Sequence, residues 1–211
     1  MKSNLTFEHS VPKKSDEQMP AIFLFHGYGS DEKDLLPLVE DFKETHHIFS
    51  LRGPITIFPG YAYWNFDEYG TSNSVEFDEA IEFVQSFIDK AIEEYNLDSK
   101  NIVLLGFSQG AMLAQSLALI MGESISKVVA LSGYVPDFVK EEKYEKKSVE
   151  RLKIFISHGV NDMVVPYQLG EATRDYFKSL GADVTFKPYN SGHFVTLENK
   201  NDLVKFIKEE L

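Results

Sequence analysis

Three side chains that lie far apart in the chain, Ser108, Asp162 and His193, could together carry out nucleophilic acyl chemistry. Ser108 is the centre of Gly106-Phe107-Ser108-Gln109-Gly110, a G-x-S-x-G pattern. A serine hydroxyl attacks a carbonyl poorly unless an adjacent base takes its proton, and that base must be oriented by an acid. The pattern gains meaning between a strand and a helix, where a sharp turn lifts the serine clear of a sheet. Residues 102–106 are an apolar, β-rich run and residues 111–121 read as a mostly apolar helix, so the context is present. Glycines on either side of such a turn let neighbouring backbone approach without a Cβ clash. The bland alternative is a tight turn whose serine caps a helix.

In folds built on this elbow the chain order is serine, acid, histidine. Two of the six histidines follow Ser108. His193 lies in Ser191-Gly192-His193-Phe194, past the last strand-like segment and before the last helical one, where the base belongs. His158 ends the preceding strand and is expected to hydrogen-bond backbone beneath the site. The acid is expected at Asp162, in the loop Gly159-Val160-Asn161-Asp162-Met163-Val164-Val165-Pro166, with Asp137 as the competitor. A loop aspartate more commonly caps its own turn. A tetrahedral intermediate needs N–H donors facing its oxygen. Those expected are the amide of Gln109 and the amide of Tyr28 in His26-Gly27-Tyr28-Gly29, with His26 shaping the loop.

These residues must be positioned by short apolar runs that alternate with amphipathic stretches. Strands are expected at 5–11 (an edge), 21–25, 48–51, 102–106, 127–131, 153–156 and 184–188. Helices are expected from a Ser30 N-cap through Phe42, then at 77–95, 111–121, 167–180 (ended by Gly181) and 201–211. Alternation of this kind predicts one α/β domain over 1–211, a mostly parallel sheet of about seven strands with helices on both faces. Ligands of such sheets sit outside the carboxyl ends of the strands, where all the candidate residues fall.

Composition narrows the chemistry. The 211 residues carry a formal net charge of −12 and no basic stripe, which argues against a nucleic-acid partner. There is no cysteine, which excludes disulfides, thiolate metal sites and a cysteine nucleophile. The first residues do not read as a secretory signal and no run approaches the roughly 18 apolar residues of a membrane span. A cytoplasmic protein without stable membrane insertion is expected, with a homodimer possible.

The chain resembles the phospholipase/carboxylesterase family, which includes the acyl-protein thioesterases. The likeness is carried by His26-Gly27-Tyr28-Gly29-Ser30, Asp34-Leu35-Leu36-Pro37-Leu38, Arg52-Gly53-Pro54, Trp64-Asn65-Phe66, Gly106-Phe107-Ser108-Gln109-Gly110-Ala111, His158-Gly159 with Asp162 and Val164-Val165-Pro166, and Gly192-His193. The resemblance implies an α/β-hydrolase fold with no large cap domain, a Ser108–His193–Asp162 triad, and hydrolysis of carboxylic esters or thioesters without cofactor or metal. The absence of cysteine separates the chain from the related dienelactone hydrolases, whose nucleophile is a cysteine.

The segment 60–74 is long and rich in aromatics, which points to function. Trp64 and Phe66 are expected to line a substrate pocket opposite Met163 and Val164. The alternative for these side chains is to cover the sheet edge. The charged segment 140–150 reads as a solvated loop, too polar for an apolar lid, which leaves a shallow, open cleft for small or protruding acyl groups. A peptidase on the same triad is the chemical alternative, and a binding module that keeps the fold without catalysis is the other.

Overall fold

The computed structural model describes residues 5–13, 18–66, 74–141 and 144–209. Seven strands form one sheet in the order β1-β3-β2-β6-β7-β8-β9. They are β1 (Phe7–Ser10), β2 (Ala21–Phe25), β3 (His47–Leu51), β6 (Ile102–Phe107), β7 (Lys127–Leu131), β8 (Lys153–Gly159) and β9 (Asp183–Tyr189), with a separate hairpin, β4 (Ile55–Thr56) and β5 (Tyr61–Ala62), after β3. All pairs in the main sheet are parallel except β1, which runs antiparallel along β3 at the edge. Pro188 is accommodated because β9 is the other edge, where a missing N–H costs no ladder bond.

Strand alternation divides the core in two. Phe23, Leu104, Val128 and Ile154 point to one face, under α1 (Ser74–Glu94), α2 (Gln109–Met121) and α4 (Tyr167–Ser179). Their neighbours Leu24, Leu105, Val129 and Phe155 point to the other, against Leu35, Val39 and Phe42 and against Leu203 and Phe206 of α5 (Leu197–Lys208). Each central strand is thus buried on both sides, which is why it reads as an unbroken apolar run.

Two expectations change. Residues 31–42 form turns and two short 3₁₀ pieces, Leu36–Leu38 and Glu40–Phe42, in place of a helix capped by Ser30. Pro37 lacks an N–H to extend a ladder, the Asp31 carboxylate accepts from Lys33 N–H, and the Ser30 hydroxyl donates to Asp34. The last helix starts at Leu197, four residues before the expected 201, because the Thr196 hydroxyl accepts from Asn199 N–H as its N-cap. The charged segment 140–150 is the surface loop expected, exposed at 141, 145, 147, 148 and 150. It follows a short helix α3 (Asp137–Lys140) and is anchored by buried Val149 and by the Lys146 ammonium, which donates to the carbonyls of Lys140, Glu141 and Tyr144. Residues 142–143 of it and 67–73 of the aromatic segment lie outside the described residues.

Among the described glycines, the closest approaches of backbone fall at the connection between β6 and α2. A Cβ at Gly110 would stand 1.9 Å from Phe25 O, and one at Gly106 would stand 2.1 Å from Gly110 O. The helix therefore reaches the end of β2 only if these positions carry no side chain. Gly110→Ala is expected to lower the free energy of unfolding by about 3 kcal/mol, the upper end of overpacking costs. Gly192→Ala, whose Cβ would find nothing nearer than 3.8 Å, should cost well under half of that. Urea denaturation of the two variants checks the contrast, and equal losses would contradict it.

Candidate active site

Ser108 occupies the turn between β6 and α2 with φ 53° and ψ −116°. This region is unfavourable for a residue with a Cβ and costs of order 1–3 kcal/mol. The surroundings hold it there: Ser108 N–H donates to Leu131 O at 2.8 Å, and Ser108 O accepts from the N–H groups of Ala111 and Met112.

His193 reaches Ser108 from the loop between β9 and α5. Its Nε2 lies 2.9 Å from Ser108 Oγ and its Nδ1 lies 2.7 Å from Asp162 Oδ2. Asp162 stands in the loop after β8, its carboxylate fully buried. Burial alone pushes its proton affinity up. The hydrogen bonds from His193 and from the N–H groups of Val165 and Val164, at 2.9 and 2.8 Å, outweigh that and hold the carboxyl below the usual carboxylate range. An ionised Asp162 makes His193 Nδ1 the protonated nitrogen, so Nε2 accepts from the Ser108 hydroxyl.

The competing residues go elsewhere. Asp137 is 95% exposed and pairs with Lys140 at 2.8 Å. His158 is fully buried and its Nε2–H donates to Val165 O at 2.9 Å, with Asp162 Oδ2 at 3.5 Å. Burial keeps this ring neutral by lowering its proton affinity, against the pull of Val165 O and Asp162. The ring packs on α4, where a Cβ at Gly170 would stand 2.5 Å from Nδ1. His158 therefore braces the acid's loop from below.

Near Ser108, the N–H groups of Tyr28 and Gln109 donate to no acceptor among the described residues. The turn that carries Tyr28 is shaped by His26, whose Nδ1–H donates to Gly27 O at 2.7 Å while Nε2 accepts from Gly53 N–H at 2.9 Å. The Gln109 side chain, 1% exposed, accepts from Tyr63 N–H at 2.9 Å and donates to Trp64 O at 2.8 Å. It thereby ties the aromatic segment to the start of α2.

A cavity of about 440 Å³ opens beside Ser108. Its wall includes Tyr28, Phe66, Met112, Tyr134, Val164, Val165, Pro166 and Leu169. Among the described residues that line it, none carries a charged side chain. Of the expected pocket residues, Phe66 and Val164 are in the wall. Trp64 is not, because it is completely buried against Phe77 with ring centroids 4.8 Å apart, and so supports Phe66 from behind. Met163 is 93% exposed and points away, since Asp162 turns the loop through the next two amides. Met112, Tyr134 and Leu169 went unread, although Met112 is four residues, one helical turn, after Ser108 and so shares its face.

The phospholipase/carboxylesterase family profile matches residues 8–211. The chain is 30% identical to acyl-protein thioesterase 1 of Candida albicans over an alignment of 222 positions that covers 94% of this chain and 95% of that one. It is 28% identical to the Arabidopsis thaliana carboxylesterase SOBER1 over 134 residues, 63% of this chain and 58% of that one. The crystal structure of the Bacillus cereus carboxylesterase superposes with a TM-score of 0.85 at 24% identity, covering 97% of this chain and 93% of that one. That of esterase PE8 superposes with 0.83 at 25% identity, over 98% and 99%. With the fold and a profile match over nearly its whole length, the chain belongs to the phospholipase/carboxylesterase family of α/β-hydrolases, enzymes that hydrolyse carboxylic esters or thioesters.

Proposed function

We propose that Ser108 is the nucleophile, His193 the base and Asp162 the acid through which this hydrolase cleaves carboxylic esters or thioesters of uncharged acyl groups. One observation carries the reading: a continuous hydrogen-bonded line from Ser108 Oγ through both nitrogens of His193 to a buried carboxylate. A purely binding role would leave that line without use.

Ser108 Oγ attacks the carbonyl carbon as its proton passes to His193 Nε2, and Asp162 stabilises the imidazolium that forms. The carbonyl oxygen becomes an oxyanion facing the N–H groups of Tyr28 and Gln109 at the positive end of α2. Collapse of the intermediate breaks the bond to the leaving alkoxide or thiolate, which takes the proton from His193. A water molecule, deprotonated by the same nitrogen, then attacks the acyl-enzyme; the acyl–Oγ bond breaks, His193 returns the proton to Ser108 Oγ, and the acid is released. The apolar wall of the cavity suits a small or medium hydrocarbon group, and no cation among its described lining residues is offered to an anionic one.

Turnover of p-nitrophenyl acetate and butyrate, and of the matching thioesters, tests the reading. Ser108→Ala is expected to lower kcat at least 10⁴-fold, and a fluorophosphonate is expected to label Ser108 alone. Undiminished turnover, or label on another serine, would remove Ser108 from the role.

Asp162 also makes stability depend on pH. Its depressed carboxyl binds fewer protons in the folded than in the unfolded chain, so its contribution is present above the unfolded value of about 4 and is lost as the pH falls through the lower folded one. The stability gap between the unsubstituted chain and Asp162→Asn should therefore be wider at pH 7 than at pH 3 in urea titrations. A gap that widens in acid would contradict the assignment.

A further inference from the structure

The N–H of Tyr28 can serve an oxyanion only if the turn 27–29 keeps one position, and the turn makes few bonds within itself. It is gripped from outside. Gly29 N–H donates to Tyr61 O and Tyr61 N–H donates to Ser30 O, both at 2.8 Å. These two bonds join the turn to the hairpin β4–β5. A Cβ at Gly60 would stand 2.5 Å from Gly29 O, so hairpin and turn touch backbone to backbone.

The hairpin is fixed in turn by Arg52, which follows β3. Its Nη1 donates to the Tyr61 hydroxyl at 3.1 Å, and its guanidinium carbon lies 4.3 Å from the Tyr61 ring centroid. Nε and Nη2 donate to the two carboxylate oxygens of Glu32 at 2.5 and 2.6 Å. The Glu32 side chain is only 3% exposed. Glu32 stands just beyond the turn, so the guanidinium links the turn's outgoing end to the residue that receives its Gly29 N–H.

A partly buried ion pair is a poor source of net stability, because desolvation of the buried carboxylate offsets much of the attraction. As a geometric device it is strong, since a planar fork on a carboxylate fixes both distance and orientation. The geometry points to Arg52, acting with Glu32, as a positioning residue for the oxyanion site: the guanidinium holds Tyr61, and Tyr61 holds the turn that presents the Tyr28 N–H. Arg52 lines no part of the cavity beside Ser108. The inference rests on the reading of Tyr28 as an oxyanion donor. A donor that meets charge only in the transition state affects kcat and leaves ground-state binding alone.

Three variants test it. Arg52→Lys keeps the charge and loses the fork, Gly60→Ala disturbs the same contact from the other side with the ion pair intact, and Tyr61→Phe removes only the hydroxyl. Rates are taken per active site, counted by fluorophosphonate labelling of Ser108, alongside thermal unfolding. For Arg52→Lys and Gly60→Ala, kcat on p-nitrophenyl butyrate is expected to fall about 10–100-fold, short of the 10²–10³ for outright loss of a donor. KM should stay within about twofold, as for an interaction made only in the transition state. Affinity for an alkylboronic acid, whose adduct with Ser108 is tetrahedral and anionic, should fall by the same factor as kcat. Tyr61→Phe should show the same pattern at a few-fold and carries the test if the other two do not fold. A lower melting temperature with unchanged kcat per site and unchanged boronate affinity would overturn the inference, as would a rise in KM alone. If Ser108 of the unsubstituted chain takes no label, the hydrolytic reading falls and this one with it; labelled Ser108 with unmoved rates removes this one alone.

Discussion

The site depends on a backbone that approaches itself more closely than side chains permit. Ser108 sits in a left-handed conformation at φ 53°, and only its surroundings keep it there. Gly110 lies against Phe25 O and Gly106 lies against Gly110 O. Gly133, after β7, is placed where a Cβ would stand 2.8 Å from Ser108 O. Three neighbouring strands thus close on the turn. The hydroxyl is lifted to the rim of the sheet, and the amide that follows it is left without a partner among the described residues at the start of a 13-residue helix. Strain at one residue and an available donor at the next are two consequences of one packing arrangement.

Charge imposes the second constraint. An unpaired carboxylate as deeply buried as Asp162 would take up a proton. Two amides of its own loop occupy one oxygen and His193 occupies the other, so the negative charge persists beside the His193 imidazole. The two imidazoles near that carboxylate differ by their partners. His158 gives Nε2–H to a backbone carbonyl and packs on Gly170, with no route to Ser108. His193 keeps one nitrogen for the acid and one for the hydroxyl. Both expectations about these rings came from chain position: one histidine within a strand, the other in the loop after the last.

What could be read from the residues was what periodicity and order encode. Strands buried on both faces announce themselves as apolar runs, and the chain order of Ser108, Asp162 and His193 matched the loops that now bring them together. The failures were local competitions. Between Asp31 and Phe42 the apolar spacing suits a helix, but Pro37 and the side-chain bonds of Ser30 and Asp31 take the backbone elsewhere. Thr196 was passed over because its capping bond depends on the conformation of the loop after His193. Trp64 and Met163 show the limit for pockets: residue type says that a side chain is large and apolar, whereas only the fold decides that Trp64 lies behind Phe66 and that Met163 faces solvent.

Tyr28 unites these constraints. Its side chain is part of the cavity wall, with its ring 5.5 Å from that of Phe66, while its amide is the donor proposed for the oxyanion. A residue with both duties cannot also anchor itself, because any bond that fixed its N–H would consume the donor. Its position must come from its neighbours, and each has a distinct partner: Gly27 O is held by His26, and Gly29 N–H by Tyr61 O. The same logic applies to Gln109, whose amide is left open while its side chain grips Tyr63 and Trp64. At both proposed donors the amide has no partner among the described residues, and bonds of the neighbouring groups hold it in place. This is how a folded chain keeps a polar group poised without the reorganisation that water would require.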